Sequence, residues 1–385
     1  MGQIVGAYTT VHAPQLFTRP PSEVPEQMDA DVAAMKVIAD DIKELKPDAV
    51  IILGSDHLET FFLSSVPTFA VIAGEYTHAH FANKSYKLKT HLPLAEDILA
   101  KLVGAEFDMA YSQDAVLGHS FAAVYEWIIG DTGIPVVPIF INAYLPPLPT
   151  PKRCTDLGRE LAKIIAGRPE RVVLIGSGGM SHYPGTWKYP QPAYDFDYWA
   201  IAQLERGKLD ELMKLTSEQL DEVGNTEMLP WYPLFGALGP VEAELITYQP
   251  TWHHGHAVMR FLPNKRKAPA TGPMPPPYKF EQGSFEFYKA PPTSAYNLNK
   301  ILYELRLSQD LRHRFLKDTP AVAKEFHLNE AEAIAVETIK DERIDSLRSL
   351  KPHPLVDAGA HPLGMLMCLV VVQAEMRRMR AAGQL

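Results

Sequence analysis

Cysteine is nearly absent: Cys154 and Cys368 are the only two in 385 residues. Thiols so far apart in sequence cannot form the disulfide framework of a small secreted domain, and they point to a reducing cytoplasm. An excess of positive charge is also missing. Lys and Arg number 37 against 46 Asp and Glu, a formal net charge of −9, whereas a broad nucleic-acid surface needs a basic field. Local cations can still take small anionic ligands. Long apolar runs are lacking too: residues 363–372 supply about half of the ~20 residues a membrane helix needs. Residues 1–14 contain no charged stretch followed by an apolar one, so no secretory signal is expected. No internal repeat is visible. What is present, 46% hydrophobic and 22% charged residues, is the balance of a soluble globular protein. At ~150 residues per domain, the length suits two or three domains, or one large domain with an appendage.

Three short apolar runs read as buried strands of an α/β sheet, because each is β-rich and stops abruptly in small or polar residues. Ala49-Val-Ile-Ile-Leu53 leads into Gly-Ser-Asp-His57. Residues 134–141 lead into Asn142-Ala-Tyr-Leu-Pro. Arg171-Val-Val-Leu-Ile175 leads into Gly-Ser-Gly-Gly-Met-Ser-His182. A further first strand is expected over residues 4–7. Helical spacing of apolar residues covers 24–45, 94–103 and 155–166, the first stopped by Lys46-Pro47. Strands alternating with helices imply a central sheet flanked by helices, with ligands gathering at the strand ends. Residues 263–292 differ: eight of the thirty are proline, which fixes φ and removes a donor, so an extended connector is expected. Beyond it, helical spacing recurs at 296–305, 312–317, 320–326, 330–339 and 363–379. The expected architecture is an α/β domain over 1–262, a proline-rich linker over 263–292 and a small all-α domain over 293–385.

Of the fourteen histidines, His78 and His80 read as residues of a polar loop. His313, His327, His353 and His361 read as surface or capping residues of the helical part. His12, His57, His119 and His182 differ, because they sit near strand ends or beside small residues, where a sheet presents ligands. Each alone fits a satisfied histidine at a strand-to-loop junction. Together they suggest a cluster, and neutral imidazole is both the commonest metal ligand and the natural acid or base near pH 7. A mononuclear iron site needs two histidines and one carboxylate on one face, with positions left open. The glycines Gly176-Ser-Gly-Gly179 compete as a phosphate cradle, but they lack the Lys and Ser/Thr of a P-loop and the spacing of a dinucleotide fingerprint.

In order along the chain, Val11-His12-Ala-Pro14, Ser55-Asp-His57, Gly118-His119-Ser120, Gly178-Gly-Met-Ser-His182 and Asn225-Thr-Glu227-Met-Leu-Pro-Trp231 with Gly236-Ala-Leu-Gly239 resemble the class III, LigB-type extradiol ring-cleaving dioxygenases. The similarity is strongest to the protocatechuate 4,5-dioxygenase and gallate dioxygenase branch. Residues 295–306, 314–318 and 328–332 resemble the small LigA-like helical subunit of that branch, here downstream in the same chain. The resemblance implies Fe(II) held by His12, His57 and Glu227, with Glu242 and Glu244 as rival carboxylates on an exposed stretch. It implies His182 as the base for a substrate hydroxyl and His119 as the partner of oxygen. The implied partners are a small aromatic diol, or a dihydroxypyridine, and O2; a homodimer is expected, and neither nucleic acid nor membrane. Tyr296, Asn297 and Lys300 could face substrate. Thr251-Trp-His-His-Gly-His256 departs from the family's small hydroxyl residues. A second metal, a surface loop, or a substrate-pocket role centred on His254 are the readings open there. A zinc enzyme or a non-catalytic binding protein on the same fold are the alternatives.

Overall fold

The computed structural model describes residues 2–130, 132–261, 273–283, 285, 287–341 and 353–385. The first ten residues of the expected linker, 263–272, lie outside them, as do residues 284 and 286. The described chain forms two compact units. The first comprises Met1–Asp56, Val66–His182 and Pro192–Phe285; the second comprises His57–Ser65, Tyr183–Gln191 and Glu286–Leu385.

The strands of the first unit are β1 (Gln3–Thr10), β2 (Ala49–Gly54), β3 (Phe69–Ile72), β4 (Tyr76–Phe81), β5 (Lys84–Lys89), β6 (Met109–Ser112), β7 (Val116–Leu117), β8 (Val136–Ile141), β9 (Arg171–Ser177), β10 (Glu244–Pro250) and β11 (Gly255–Phe261). Eight of them form one sheet in the order β10-β11-β1-β9-β2-β8-β3-β6, and β5-β4-β7 form a small second sheet. His78 and His80 therefore lie on β4 rather than in a loop. The centre of the large sheet, β1-β9-β2-β8, is parallel. Its strands β2 and β8 are buried along their whole length, as strands covered on both faces must be. Because side chains alternate, Ile51 and Leu53 enter one core and Val50 and Ile52 the other. The registers pair Thr10 of β1 and Gly54 of β2 with Ser177 of β9, so these strands end level with one another.

The helices Pro25–Leu45, Leu92–Gly104 and Pro151–Ala166 form where helical spacing predicts them. Proline in the first turn, which has no N–H to waste, extends the last two upstream of the expected starts. The helix Pro151–Ala166 lies close against Tyr232–Leu238. A Cβ at Gly158 would run into the Pro233 carbonyl, and one at Gly236 into the Thr155 carbonyl. The described part of the proline-rich segment up to Phe285 belongs to the first unit. Tyr278 and Phe280 pack against Phe196, and the Glu222 carboxylate accepts the backbone N–H groups of Glu281, Gln282 and Gly283.

The second unit is helical, with Tyr296–Leu307, Gln309–Lys317, Thr319–Glu325, Glu330–Glu337 and Pro362–Ala381 around one apolar core. Ser308, Asp318 and Asn329 cap successive helices, Asn329 reciprocally with Glu332. Among the described residues no helix is long and apolar enough to cross a membrane.

Gly158→Ala should destabilise the protein by about 1–3 kcal/mol, since the obstructing atom is backbone and cannot step aside. Gly104→Ala, where a Cβ meets open space, should be neutral or slightly stabilising. The urea midpoints of the two variants check this; equal midpoints would refute the close helix contact.

Candidate metal and catalytic site

The parallel strands deliver their site residues just past their carboxyl ends. His12 follows β1, His57 follows β2, Tyr144 follows β8, and Gly178 to His182 follow β9. Glu227 comes from a buried 3₁₀ turn, Thr226–Trp231, and His119 opens the helix His119–Val124. His12, His57, His119, His182 and Glu227 are all almost fully buried. Two groups each offer potential ligand atoms that lie within 4.8 Å of one another inside the group, one being His12, His57 and His119, the other His182, Glu227 and His254. His12 links them, with Nε2 3.2 Å from both oxygens of Glu227. The rival Glu244 stands partly exposed at the start of β10, paired with Arg260, and Glu242 is exposed.

The protons around His12 can be assigned. Ser177 Oγ donates to the Ser120 carbonyl at 2.6 Å, so at 3.0 Å from His12 Nδ1 it accepts. Burial holds the His12 imidazole below its ordinary pKa, against the opposing pull of Glu227. Its one proton is on Nδ1, and the Nε2 lone pair faces a carboxylate. Two acceptors facing each other without a proton between them repel, and a cation turns the repulsion into attraction. Their separation is also what adjacent ligands of one ion have, about 3 Å when each stands ~2.1 Å from the metal. The residues therefore fit a metal ion.

The second group is different. His182 and His254 are paired across an antiparallel bridge, and their rings stack at 3.8 Å and 11°. Lone pairs in parallel ring planes run side by side and do not converge on one ion. His182 is fixed by Nδ1 on the Met180 carbonyl at 2.8 Å. Tyr144 Oη lies 3.0 Å from His182 Nε2 and 2.8 Å from Glu227 Oε1, and Gly179 N–H donates to Glu227 Oε2 at 2.6 Å. The glycines matter sterically: a Cβ at Gly178 would strike the Glu227 carbonyl, and one at Gly179 the His254 ring.

The segment 253–256 is no surface loop, for all three of its histidines are buried. His253 pairs with Glu23 and His256 with Asp31, and the three are not among the groups of described residues whose ligand atoms come together. Both His254 Nε2 and His256 Nε2 lack a hydrogen-bond partner among the described residues, and His254 is the one stacked on His182. Burial, then His182 and His256, push its pKa well below the usual value, so it is neutral. Tyr296 opens the helix Tyr296–Leu307 with its ring against Phe62.

A family model described as the catalytic LigB subunit of aromatic ring-opening dioxygenase matches residues 6–259. The chain belongs to this LigB family. Its α/β unit is the LigB part, and the match stops short of the helical segment that begins at Thr293. A 2,3-dihydroxyphenylpropionate/2,3-dihydroxicinnamic acid 1,2-dioxygenase of Klebsiella pneumoniae subsp. pneumoniae is 33% identical over 164 residues, 42% of this chain and 52% of the relative. The chain thus spans about half the length of that relative. A Cupriavidus necator protein of the same name is 25% identical over 308 residues, 67% of this chain and 96% of the relative. An uncharacterized protein of Escherichia coli K12 of known structure aligns with a TM-score of 0.45 and 14% identity, over 67% of this chain and 99% of its own.

Sequence reasoning missed Tyr144, one of sixteen tyrosines, marked only by its place after a strand. It also missed Asp197, which nothing in the sequence distinguishes. Asp197 is fully buried in the helix Tyr194–Glu205. It accepts hydrogen bonds from Ser181 N–H, Asn225 Nδ2 and Tyr248 Oη, and so ties down the segments that carry His182 and Glu227. Burial pushes its pKa from 3.8 up to about 6, despite the lowering effect of those hydrogen bonds.

Because the folded state holds this proton more tightly than the unfolded chain, the contribution of Asp197 to stability is fullest below pH 3.8. It declines as pH rises towards 6 and is constant above. Relative to Asp197→Asn, the wild type should lose about 3 kcal/mol across that interval. Parallel urea titrations from pH 4 to 8 measure it; a difference that does not change with pH would refute the buried-acid assignment.

Proposed function

We propose that the chain is an Fe(II)-dependent extradiol ring-cleaving dioxygenase in which His12, His57 and Glu227 hold the iron. The observation carrying this reading is the Nε2 of a neutral, buried His12 set 3.2 Å from the Glu227 carboxylate. Bound there, ferrous iron supplies the redox-active centre that brings a diol and O2 into reaction.

The remaining chemistry belongs to the chain. His182, its Nδ1 anchored on the Met180 carbonyl, presents Nε2 as the atom that receives a proton from a substrate hydroxyl. His119, with its ring 5.3 Å from that of His12, supplies a donor at the oxygen end. Burial of these groups excludes bulk water, which strengthens each polar interaction. The neutral, unpartnered Nε2 of His254 offers a hydrogen bond to a polar ring substituent.

The names of the curated relatives favour a catechol bearing a propionate or propenoate side chain. The resemblance to the protocatechuate and gallate branch favours a benzoate and a LigA-like role for the helical part. A substrate role for Tyr296, the division into 1–262, 263–292 and 293–385, a homodimer and a cytoplasmic location rest on the sequence reading alone.

Protein purified without oxygen and analysed for metal should contain iron rather than zinc. With 2,3-dihydroxyphenylpropionate, protocatechuate, gallate and dihydroxypyridines, at least one member of the panel should drive oxygen uptake and give a yellow ring-opened product. Silence across the panel by iron-loaded protein would count against the enzyme reading. His12→Ala should lose iron. His182→Phe should keep iron and lose ~10²–10⁴ in turnover, the usual worth of positioned acid–base help. Full iron in the His12 variant would overturn the ligand assignment.

A further inference from the structure

Tyr144 is buried at the end of β8, and its place there is fixed by its own loop. Asn142 Oδ1 accepts the N–H groups of Tyr144 and Leu145 at 3.3 and 3.1 Å, and Asn142 Nδ2 donates to the Leu145 carbonyl at 2.6 Å. This side-chain-to-backbone clasp fixes the turn without help from the ligands. The phenol oxygen is thereby held 2.8 Å from Glu227 Oε1 and 3.0 Å from His182 Nε2.

Counting protons shows that these two contacts compete. His182 Nδ1 lies 2.8 Å from the Met180 carbonyl, which can only accept, so Nδ1 carries a hydrogen. A neutral imidazole has one N–H, and Nε2 is then an acceptor. Glu227 is an acceptor as well. One phenol O–H therefore faces two acceptors and can serve only one at a time. The phenol oxygen lies within hydrogen-bond distance of Glu227 Oε1 and of His182 Nε2, so these two are the rivals. A cation on the carboxylate draws electron density from Oε1 and weakens it as an acceptor, while Nε2 is unchanged.

We propose that Tyr144 is a positioning residue whose single hydroxyl hydrogen is shared between Glu227 and His182, and that a cation held by Glu227 commits it to His182. Metal loading then orients the imidazole as well as filling the site. The proposal rests on the reading of Glu227 as a metal ligand.

The test uses the full chain with ¹⁵N-labelled histidine and Zn(II) as a diamagnetic probe. The His182 resonances are assigned by their loss in His182→Gln. In the wild type, Zn(II) should move the His182 Nε2 signal upfield, as acceptance of a stronger hydrogen bond does. In Tyr144→Phe that signal should start downfield of the wild type and stay in place when Zn(II) binds. A wild-type signal unmoved by Zn(II) overturns the proposal, and so does a Tyr144→Phe signal that moves as the wild type's does. Should the phenylalanine variant not fold, the wild-type titration still decides. Glu227→Ala, titrated in parallel, separates the two levels. If it binds Zn(II) as tightly as the wild type, the ligand reading itself fails; if it loses Zn(II) while His182 never responds, only the role of Tyr144 fails.

Discussion

The lone pair of a neutral imidazole facing a carboxylate inside a protein is a standing repulsion, and the site is organised around the one between His12 and Glu227. The surroundings sustain it. Ser177 spends its hydrogen on the Ser120 carbonyl and so obliges His12 to donate from Nδ1. Burial removes the water that would otherwise solvate both acceptors. Gly179 N–H and Tyr144 hold the carboxylate in place. Such an arrangement lowers stability in the absence of a positive charge and gains from one, which is how a fold stores affinity for a cation.

The topology makes this possible. Four parallel strands ending level with one another deliver side chains from residues 12, 144 and 179–182, far apart in sequence, to one edge, where backbone groups run out of strand partners and side chains must satisfy them. The serine hydroxyls do this work. Ser177 Oγ bonds the Ser120 carbonyl, and Ser120 Oγ bonds the Ser55 carbonyl, so the segments after β9 and β2 and the turn holding His119 are laced together. Asp197 adds a second brace behind His182 and Glu227. Its burial as an acid costs stability at neutral pH and buys a fixed spacing between the two segments.

Much of this was legible in the sequence, for identifiable reasons. Buried parallel strands are uninterrupted runs of β-branched residues, so β2, β8 and β9 announce themselves, and the histidines after them stand out against apolar neighbours. Glu227 was separable from Glu242 and Glu244 only through the company it keeps, since a lone acid carries no periodic signal. The histidines of 253–256 left a second metal, a surface loop and a substrate-pocket role open, because three polar residues within four positions carry no sign of burial. Their partners Glu23 and Asp31 lie more than two hundred residues earlier, and no local pattern announces a buried pair of that kind. Tyr144 and Asp197 escaped for the same reason: their roles exist only in contacts between distant segments.

Stacking decides how the crowded imidazoles divide their labour. Four histidines near one carboxylate could form a second metal centre by composition alone. The cross-strand pairing of 182 with 254 makes their planes parallel, and parallel planes cannot aim two lone pairs at a single ion. His12 stands edge-on to His119, with the rings at 74°, so these two are not held in parallel planes. One backbone bridge therefore favours hydrogen-bonding roles for His182 and His254, in keeping with the proposed ligand set of His12, His57 and Glu227. Gly179, whose missing side chain admits the His254 ring, is the residue on which that division depends.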